Sequence, residues 1–319
     1  MLKRMYLKKI LISSLALFSF FLVYFIPNNK SNEFKYKQHL EYVDKEIKTH
    51  EIYLLDKDNY VAKTEIIIQS DDTKDIAKEL ISAMIIGGST EDKIPNGFKA
   101  IIPSNTKILG IDYTENVLKI NFSEELLDTN KDNEEKIIEA IIYTLTSINE
   151  VDKIVILIDS KILTELPQSQ ITLPTTLDRS FGINKQYDLN SDKNINKTTI
   201  YYINKFNNQE YYVPVTKINN DQRDKIEIII DELGSKNQYS TNLMSYLNDN
   251  TKILSVNEEN NTLTVDFNNY IFNDLDNKDI LEEVIYTIYL SIQDNYNVKD
   301  VVFTYDNQEI YKNVSKVLE

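Results

Sequence analysis

The sequence contains no cysteine among its 319 residues. That absence excludes disulfide bonds, thiolate metal sites and cysteine nucleophiles together. It also excludes a lipoprotein signal, because such a signal needs a cysteine that can be acylated. The stability of the folded part must therefore come from packing.

Histidine and tryptophan are nearly as scarce. The two histidines, His39 and His50, fall in a polar stretch ahead of the repeated part of the chain, so no Ser-His pair or histidine metal site is expected within the domains. Tryptophan is absent, while tyrosine occurs 21 times. One group of tyrosines lies on two predicted strands and has alternate members facing outward, which predicts a contact surface; a codon bias toward tyrosine explains it equally well (Tyr201, Tyr202, Tyr211 and Tyr212).

Positively charged residues are fewer than negatively charged ones. The chain has 35 Lys and Arg against 50 Asp and Glu, a formal net charge of −15. A protein this acidic is not expected to bind nucleic acid phosphates or an anionic membrane surface. Its partners are then proteins, cations or neutral polymers, although solubility alone is the simplest explanation of the net charge.

The amino-terminal segment differs from everything after it. An apolar run from Ile10 to Ile26 follows four cations and ends at Pro27. Residues 1–29 are therefore predicted to be a signal anchor, a transmembrane helix that leaves the rest of the chain outside the cytoplasm. A cleaved signal peptide is the alternative, but no small-x-small cleavage site follows the run. Residues 30–50 are predicted to be a juxtamembrane linker.

The rest of the chain contains two copies of one sequence pattern. Asn-Thr-Lys-Ile-Leu begins at Asn105 and again at Asn250, and an alternating strand follows each copy, ending at Phe122 and at Phe267. A helical apolar stripe comes next, and both stripes contain Ile-Tyr-Thr, which aligns Thr144 with Thr287. Thr106 and Thr251 are predicted to open the third strand of each copy.

The repeat also extends upstream. Ile52–Leu55 resembles Ile200–Ile203, and the next strand of the second copy contains Pro214, which suits only a sheet edge or a bulge. A short helix follows in each copy, with predicted left-handed glycine caps at Gly87, Gly88 and Gly234. The fold class is therefore α+β, with two tandem ββαββαβ domains after the transmembrane helix. Their predicted bounds are residues 51–189, including an extension that packs on the first domain, and residues 190–319, with a flexible start over 190–197.

Two kinds of chemistry can be tested against the repeat. An acid pair for glycoside hydrolysis would be Glu124 with Glu125, or Asp159 with Asp306. The first pair has no counterpart in the second copy, and acids at strand ends such as the second pair more often cap turns. Neither pair is predicted to be catalytic.

A calcium-loop pattern begins at Asp128 and places Glu139 where a bidentate ligand would stand. It lacks the central glycine, and its second half is needed for a helix. We therefore predict a solvated loop with Asp132 or Asn133 as helix N-cap, and no metal or cofactor site.

A family resemblance rests on several of these segments in combination. A helix ends in Ile86-Gly87-Gly88, a turn contains Pro103-Ser104-Asn105-Thr106, a strand closes in Asn121-Phe122-Ser123, and a helix contains Tyr143-Thr144-Leu145. This order resembles the GerM family of sporulation and spore germination proteins. The second copy lacks counterparts of Pro103 and Ser123. The residues that carry the resemblance are expected to be structural (Gly87, Gly88, Pro103, Thr106, Ser123, Thr144, Pro214, Gly234, Thr251 and Thr287).

The resemblance implies a function as well as a fold. The fold is a sheet packed on two helices, like the ring-building modules of sporulation and secretion machines. The function is that of a non-enzymatic envelope scaffold without a cofactor, whose partners are other sporulation envelope or channel proteins, with a homo-oligomer or ring left open. Its expected place is the cell membrane, with both domains in the space between mother cell and forespore. A cortex peptidoglycan-acting enzyme or accessory, and a cell-wall-binding module, are the alternatives.

Overall fold

The computed structural model describes residues 48–235 and 242–313. Within these ranges, no helix is both long and apolar enough to cross a membrane. The predicted transmembrane segment, residues 1–29, lies outside them, as do His39 and most of the predicted linker. His50 belongs to the first strand, so the sequence was wrong to place it in the linker.

The first domain follows the predicted order of strands and helices and then adds one strand. That last strand returns from the fifth through a turn at Asp159 and Ser160, which both have positive φ. The elements are β1 (Thr49–Leu55), β2 (Val61–Ile67), α1 (Thr73–Met84), β3 (Ile108–Thr114), β4 (Val117–Phe122), α2 (Lys131–Leu145), β5 (Lys153–Ile158) and β6 (Lys161–Ile162).

The second domain repeats the same series, and a short strand, β7 (Gln186–Asp188), connects the two. The mixed α+β class and the tandem organisation are thereby confirmed. The elements are β8 (Asn196–Phe206), β9 (Gln209–Asn219), α3 (Lys225–Gly234), β10 (Ile253–Glu259), β11 (Thr262–Phe267), α4 (Glu282–Asn295), β12 (Asp300–Tyr305) and β13 (Gln308–Asn313).

Each domain contains a four-stranded mixed sheet with the same topology. The orders are β3-β4-β5-β6 and β10-β11-β12-β13, with the central pair parallel and the outer pairs antiparallel. The repeated Asn-Thr-Lys-Ile-Leu ends at a β-bulge in both sheets, because Leu109 and Leu254 have no partner in the ladder. The strands begin at Ile108 and Ile253, two residues after the threonines that were predicted to open them.

The hairpins form a third sheet that spans both domains. β1 and β2 pair antiparallel, as do β8 and β9. β2 then meets β9 at Lys63 and Tyr212, and β7 pairs with β9 farther along the same side. One five-stranded sheet therefore contains strands from both halves of the chain.

Each domain has its own hydrophobic core, built from the buried faces of its helices and sheets. The segment after β6 adds Leu163, Leu173 and Leu177 to the first core, which confirms that this extension packs on the first domain. The segment 190–197, which was predicted to be a flexible start of the second domain, is bonded to that domain. The Asn220 side chain hydrogen bonds to the backbone of Ser191 and Lys193, and β8 begins at Asn196.

The helix ends differ from the predicted glycine caps. α1 ends at Met84 and its C-cap, Ile85, is extended; Gly87 takes a positive φ only after the helix has ended. Gly88 is required for space, because a Cβ there would lie 2.0 Å from the Ser82 carbonyl oxygen. α3 continues through Gly234, and its C-cap, Ser235, is extended.

Candidate functional site at the domain junction

Equivalent residues of the two domains meet at the junction. Tyr53 on β1 and Tyr201 on β8 occupy matching repeat positions, and their hydroxyl oxygens are 3.1 Å apart. Asp56 and Asn204 also match, and the Asn204 amide donates to the Asp56 carboxylate at 2.8 Å. Contact between a residue and its own counterpart is the mark of a two-fold relation. The domains are therefore joined as a pseudo-symmetric pair.

The tyrosine pair lies within a charged network. The Tyr201 hydroxyl donates to Asp294 Oδ2 at 2.8 Å, and Arg179 Nη1 donates to Asp294 Oδ1 at 2.6 Å. The Arg179 guanidinium also lies 5.0 Å from the centre of the Tyr143 ring. Burial raises the pKa of Tyr201, and the neighbouring Asp294 carboxylate raises it further, so the hydroxyl remains a donor. Arg179 of the extension therefore connects α2 of the first domain to α4 of the second.

A buried carboxylate organises the other end of the junction. Asp56 is fully buried. Its Oδ1 accepts hydrogen bonds from the backbone N–H groups of Asp58 and Tyr60, both at 2.8 Å. Its Oδ2 accepts from the Asn204 amide and from the Tyr211 hydroxyl at 3.0 Å. Two of its four donors belong to the second domain, so this carboxylate connects the two domains.

Asn184 closes the gap between β2 and β9. Its Oδ1 accepts from the Val61 N–H at 2.9 Å, and its Nδ2 donates to the carbonyls of Val61 at 2.8 Å and Pro214 at 2.7 Å. Pro214 has no N–H to give to a ladder. β9 is an interior strand with an unbroken register to β8 at Pro214, so the predicted edge or bulge position was wrong. Pro214 lies between the points where β2 and β7 pair with β9, where no strand bonds to β9 on that side.

Glu139 supports the same connection from α2. Glu139 is 2 % exposed, and its Oε2 accepts from the Asn184 N–H at 2.9 Å. Lys185 Nζ lies 3.8 Å from Oε1 and donates to Glu135 at 2.7 Å. Burial raises the pKa of Glu139 to about 7, against the opposing effect of Lys185.

The second-domain tyrosines are used inside the protein. Tyr201, Tyr202 and Tyr211 are buried, and Tyr212 is half-buried. Tyr202 hydrogen bonds to Glu232 of its own domain, while Tyr201 and Tyr211 contact residues of the junction. The expectation that alternate members face outward was wrong for Tyr201, Tyr202 and Tyr211, whereas Tyr212 stays partly exposed.

The predicted structural residues of the β3 and β10 turns have matching roles. Ser123 Oγ accepts from the Lys107 N–H at 2.9 Å, and Asn268 Oδ1 accepts from the Lys252 N–H at 3.0 Å. Turns also begin at Pro103 and at Asn248, whose carbonyls accept from the N–H groups of Thr106 and Thr251. The second copy therefore keeps both contacts with different residues.

Thr144 and Thr287 are not equivalent, which corrects the alignment by Ile-Tyr-Thr. Thr144 Oγ1 accepts from the Tyr53 N–H at 2.9 Å. The matching N–H, that of Tyr201, donates to Ser291 Oγ at 2.9 Å. Thr287 instead donates to the Glu283 carbonyl within α4. The second helix is thus displaced by four residues, about one turn, from the alignment that the triplet indicated.

The residues considered for catalysis or metal binding lie in turns and in a helix. Asp159 and Asp306 are turn residues with positive φ in the hairpins after β5 and β12. Asn130, rather than Asp132 or Asn133, is the N-cap of α2, so the helix occupies the second half of the calcium-loop pattern. Within residues 48–235 and 242–313, no cluster of three His, Cys, Asp or Glu could hold a metal ion.

Sequence reasoning missed most of the junction (Asp56, Arg179, Asn184, Asn204 and Asp294). One signal was present, because Tyr53 and Tyr201 are the same residue at the same repeat position. Arg179 and Asn184 lie in the extension, outside both copies, and have no counterpart that a repeat could reveal.

Comparison with known proteins agrees with the repeat. The Germane family, described as sporulation and spore germination, matches residues 51–164 and 199–311. The spore germination protein GerM of Bacillus subtilis (strain 168) is 32 % identical over 258 residues, which cover 79 % of this chain and 69 % of the relative.

A solved structure shows the same architecture. The tandem GerMN domains of the sporulation protein GerM from Bacillus subtilis superpose with a TM-score of 0.73 at 29 % sequence identity, covering 82 % of this chain and 92 % of that chain. The similarity therefore includes both domains together.

Proposed function

The chain belongs to the GerM family of sporulation and spore germination proteins, and we propose that it acts in the sporulation envelope as a non-enzymatic scaffold or adaptor. Residues 1–29 anchor it in the membrane, and both domains lie outside the cytoplasm, between mother cell and forespore. Its partners are other envelope or channel proteins, or further copies of itself in a ring.

The observation that carries this proposal is the junction. A shared sheet, the Asp294 network and the Asp56 network connect the two domains. Two similar domains fixed in this way present two related surfaces at a set distance, and tandem surfaces strengthen weak contacts through avidity. That arrangement suits assembly rather than catalysis.

The two acids that the sequence offered as a catalytic pair, Asp159 and Asp306, lie in turns. Asp159 and Asp306 each hold a left-handed turn between antiparallel strands, a conformation that Asn and Asp tolerate well. Asparagine at both positions therefore keeps the turns and removes the charge.

Gene deletion and complementation in the native sporulating organism test the proposal. Deletion should lower spore yield or misplace a partner, and the Asp159→Asn/Asp306→Asn variant should restore both as well as the wild type does. Normal sporulation with correct partner placement in the deletion strain would contradict the scaffold function. An acid variant that accumulates normally but fails to complement would favour the peptidoglycan enzyme.

A further inference from the structure

A groove runs along α4 where the two domains meet. One end is a cleft of about 590 Å³ bounded by Glu65, Tyr212 and Glu282. The other end is a cleft of about 620 Å³ bounded by Arg179 and Gln293. Both clefts are lined by Glu51, Tyr289 and Leu290, so they lie next to each other along α4. We call this feature the α4 groove.

One face of α4 forms a wall of the groove. Glu282, Tyr286, Tyr289 and Gln293 follow one another at spacings of three and four residues, which places them on a single face. Val284, Ile288 and Ile292 on another face are buried in the second core. From Glu282 to Gln293 the helix rises about 17 Å, the length of about five residues of extended chain.

The lining of the first cleft is acidic. Four carboxylates line it, from Glu51, Glu65, Glu210 and Glu282, against one cation, Lys63. Lys63 is already paired with Glu51 at 2.7 Å, and Glu210 is paired with Lys205 at 3.3 Å, so Glu65 and Glu282 are the carboxylates offered to a ligand. Burial raises the pKa of Tyr212, and the Glu283 and Glu282 carboxylates raise it further, which agrees with a negative potential in the groove.

Aromatic faces lie beside these carboxylates. The Tyr212 and Tyr286 ring centres are 6.0 Å apart, with their planes inclined by 43°. Tyr286 is 38 % exposed, so its ring can receive a ligand. A tyrosine ring attracts a lysine or arginine side chain through its negative face, and a carboxylate next to it adds direct charge attraction. Together these groups favour a cationic ligand over a neutral one.

We propose that the α4 groove binds an extended, lysine- or arginine-rich segment of a partner protein. This rests on the proposed scaffold function and adds the location and chemistry of one contact. The length of the groove suits an extended chain. Each cation would lie near a groove carboxylate, with tyrosine rings between successive contacts.

A labelled peptide tests the proposal directly. A peptide of alternating lysine and alanine, about eight residues long, is titrated with purified full-length protein, and fluorescence anisotropy reports binding. Glu65→Gln/Glu282→Gln should weaken binding about fivefold, as expected for two exposed charge contacts. The matched variant Glu124→Gln/Glu227→Gln, with two exposed carboxylates outside the groove, should bind like the wild type. Added salt should weaken wild-type binding.

Three results would overturn the assignment. They are no binding of the basic peptide, equal affinity for the wild type and the groove variant, and displacement of the peptide by a neutral N-acetylglucosamine oligomer, which would make the groove a glycan site. The titration does not depend on spore formation. If the wild-type gene complements the deletion while the peptide fails to bind, the groove assignment falls and the scaffold function remains.

Discussion

Two hydroxyl groups hold β1 and β8 against the second helix of their own domain. Thr144 and Ser291 accept from the buried N–H groups of Tyr53 and Tyr201. Thr287, which the sequence indicated as the second of this pair, bonds only to carbonyls of its own helix. Thr144 and Ser291 therefore connect a helix to a strand, whereas Thr287 makes a contact only within its own helix.

Removal of the Thr144 or Ser291 hydroxyl should destabilise the protein more than removal of the Thr287 hydroxyl. Thr144→Val and Ser291→Ala should each lower the free energy of unfolding by about 1–3 kcal/mol, because a buried N–H loses its acceptor. Thr287→Val should cost less than about 1 kcal/mol, because the bond it removes does not hold another element. Urea unfolding of the three variants measures the differences. If Thr287→Val lost the most free energy of unfolding, Thr287 would be the counterpart of Thr144, as the Ile-Tyr-Thr alignment indicated.

Glu139 should make stability depend on pH. Its folded pKa of about 7 lies above the ordinary carboxyl value, so the folded state binds more protons than the unfolded state between about pH 4.5 and pH 7. This contribution is fully present at the acid end of that window and is lost as pH rises through about 7. Glu139→Gln keeps an amide oxygen as acceptor and removes the ionisation. The free energy of unfolding of the variant, relative to that of the wild type, should therefore rise by about 2–3 kcal/mol as the pH is raised from 5 to 8.

Urea unfolding at several pH values gives this difference directly. Exposed Glu227→Gln serves as the control and should show the wild-type pH dependence. If the Glu139→Gln curve runs parallel to the wild-type curve across the window, Glu139 is ionised at all these pH values and the assignment fails.

Residue identity limited what the sequence could predict at this scale. The second copy was expected to lack the contact of Ser123, yet Asn268 makes the same bond to the strand ahead of it. A hydroxyl and an amide oxygen are different letters with the same acceptor chemistry. Matching letters could not reveal that equivalence.

Among the elements, local patterns were reliable and pairing at a distance was not. The alternating strands and the helical stripes appear where the sequence indicated, because a period of two or 3.6 residues is a local property. The Ile-Tyr-Thr alignment failed because an apolar helical stripe resembles itself after a shift of one turn. The meeting of β2 and β9 rests on one ladder pair and the Asn184 side chain, and neither has a pattern to detect.

Asn184 is the single residue whose removal should most loosen this pairing. Asn184→Gly keeps the positive φ of 46° accessible and removes three hydrogen bonds to β2 and β9. A loss of about 2–3 kcal/mol in the free energy of unfolding is expected. Asn207, in the turn between β8 and β9, also has φ 46°, so Asn207→Gly is a matched control for the backbone change.

Thermal or urea unfolding of both variants gives the comparison. The Asn207 variant should stay within about 1 kcal/mol of the wild type, since it changes only the backbone preference of a turn. Equal losses for the two variants would mean that the Asn184 side chain contributes nothing to the pairing of the hairpins.

At the scale of the whole molecule, the domains share more than a linker. Ala62 of β2 belongs to the second core, and Phe98 of the first domain packs on both cores. Gly97 has φ +98°, and a Cβ there would lie 2.7 Å from the Phe206 ring, so the two domains approach at van der Waals distance. Repetition in the sequence indicated two domains, but it could not indicate that they form one body, because the contacts join residues about 150 positions apart.

A distance between the two domains shows whether their connection is rigid. The chain has no cysteine, so spin labels at Asp112→Cys on β3 and Asn257→Cys on β10 report only on those exposed sites. Pulsed electron resonance on the full-length protein should give one narrow distance distribution, the width of which is set by the labels. A broad or double distribution would show that the domains move independently and that the junction does not fix them.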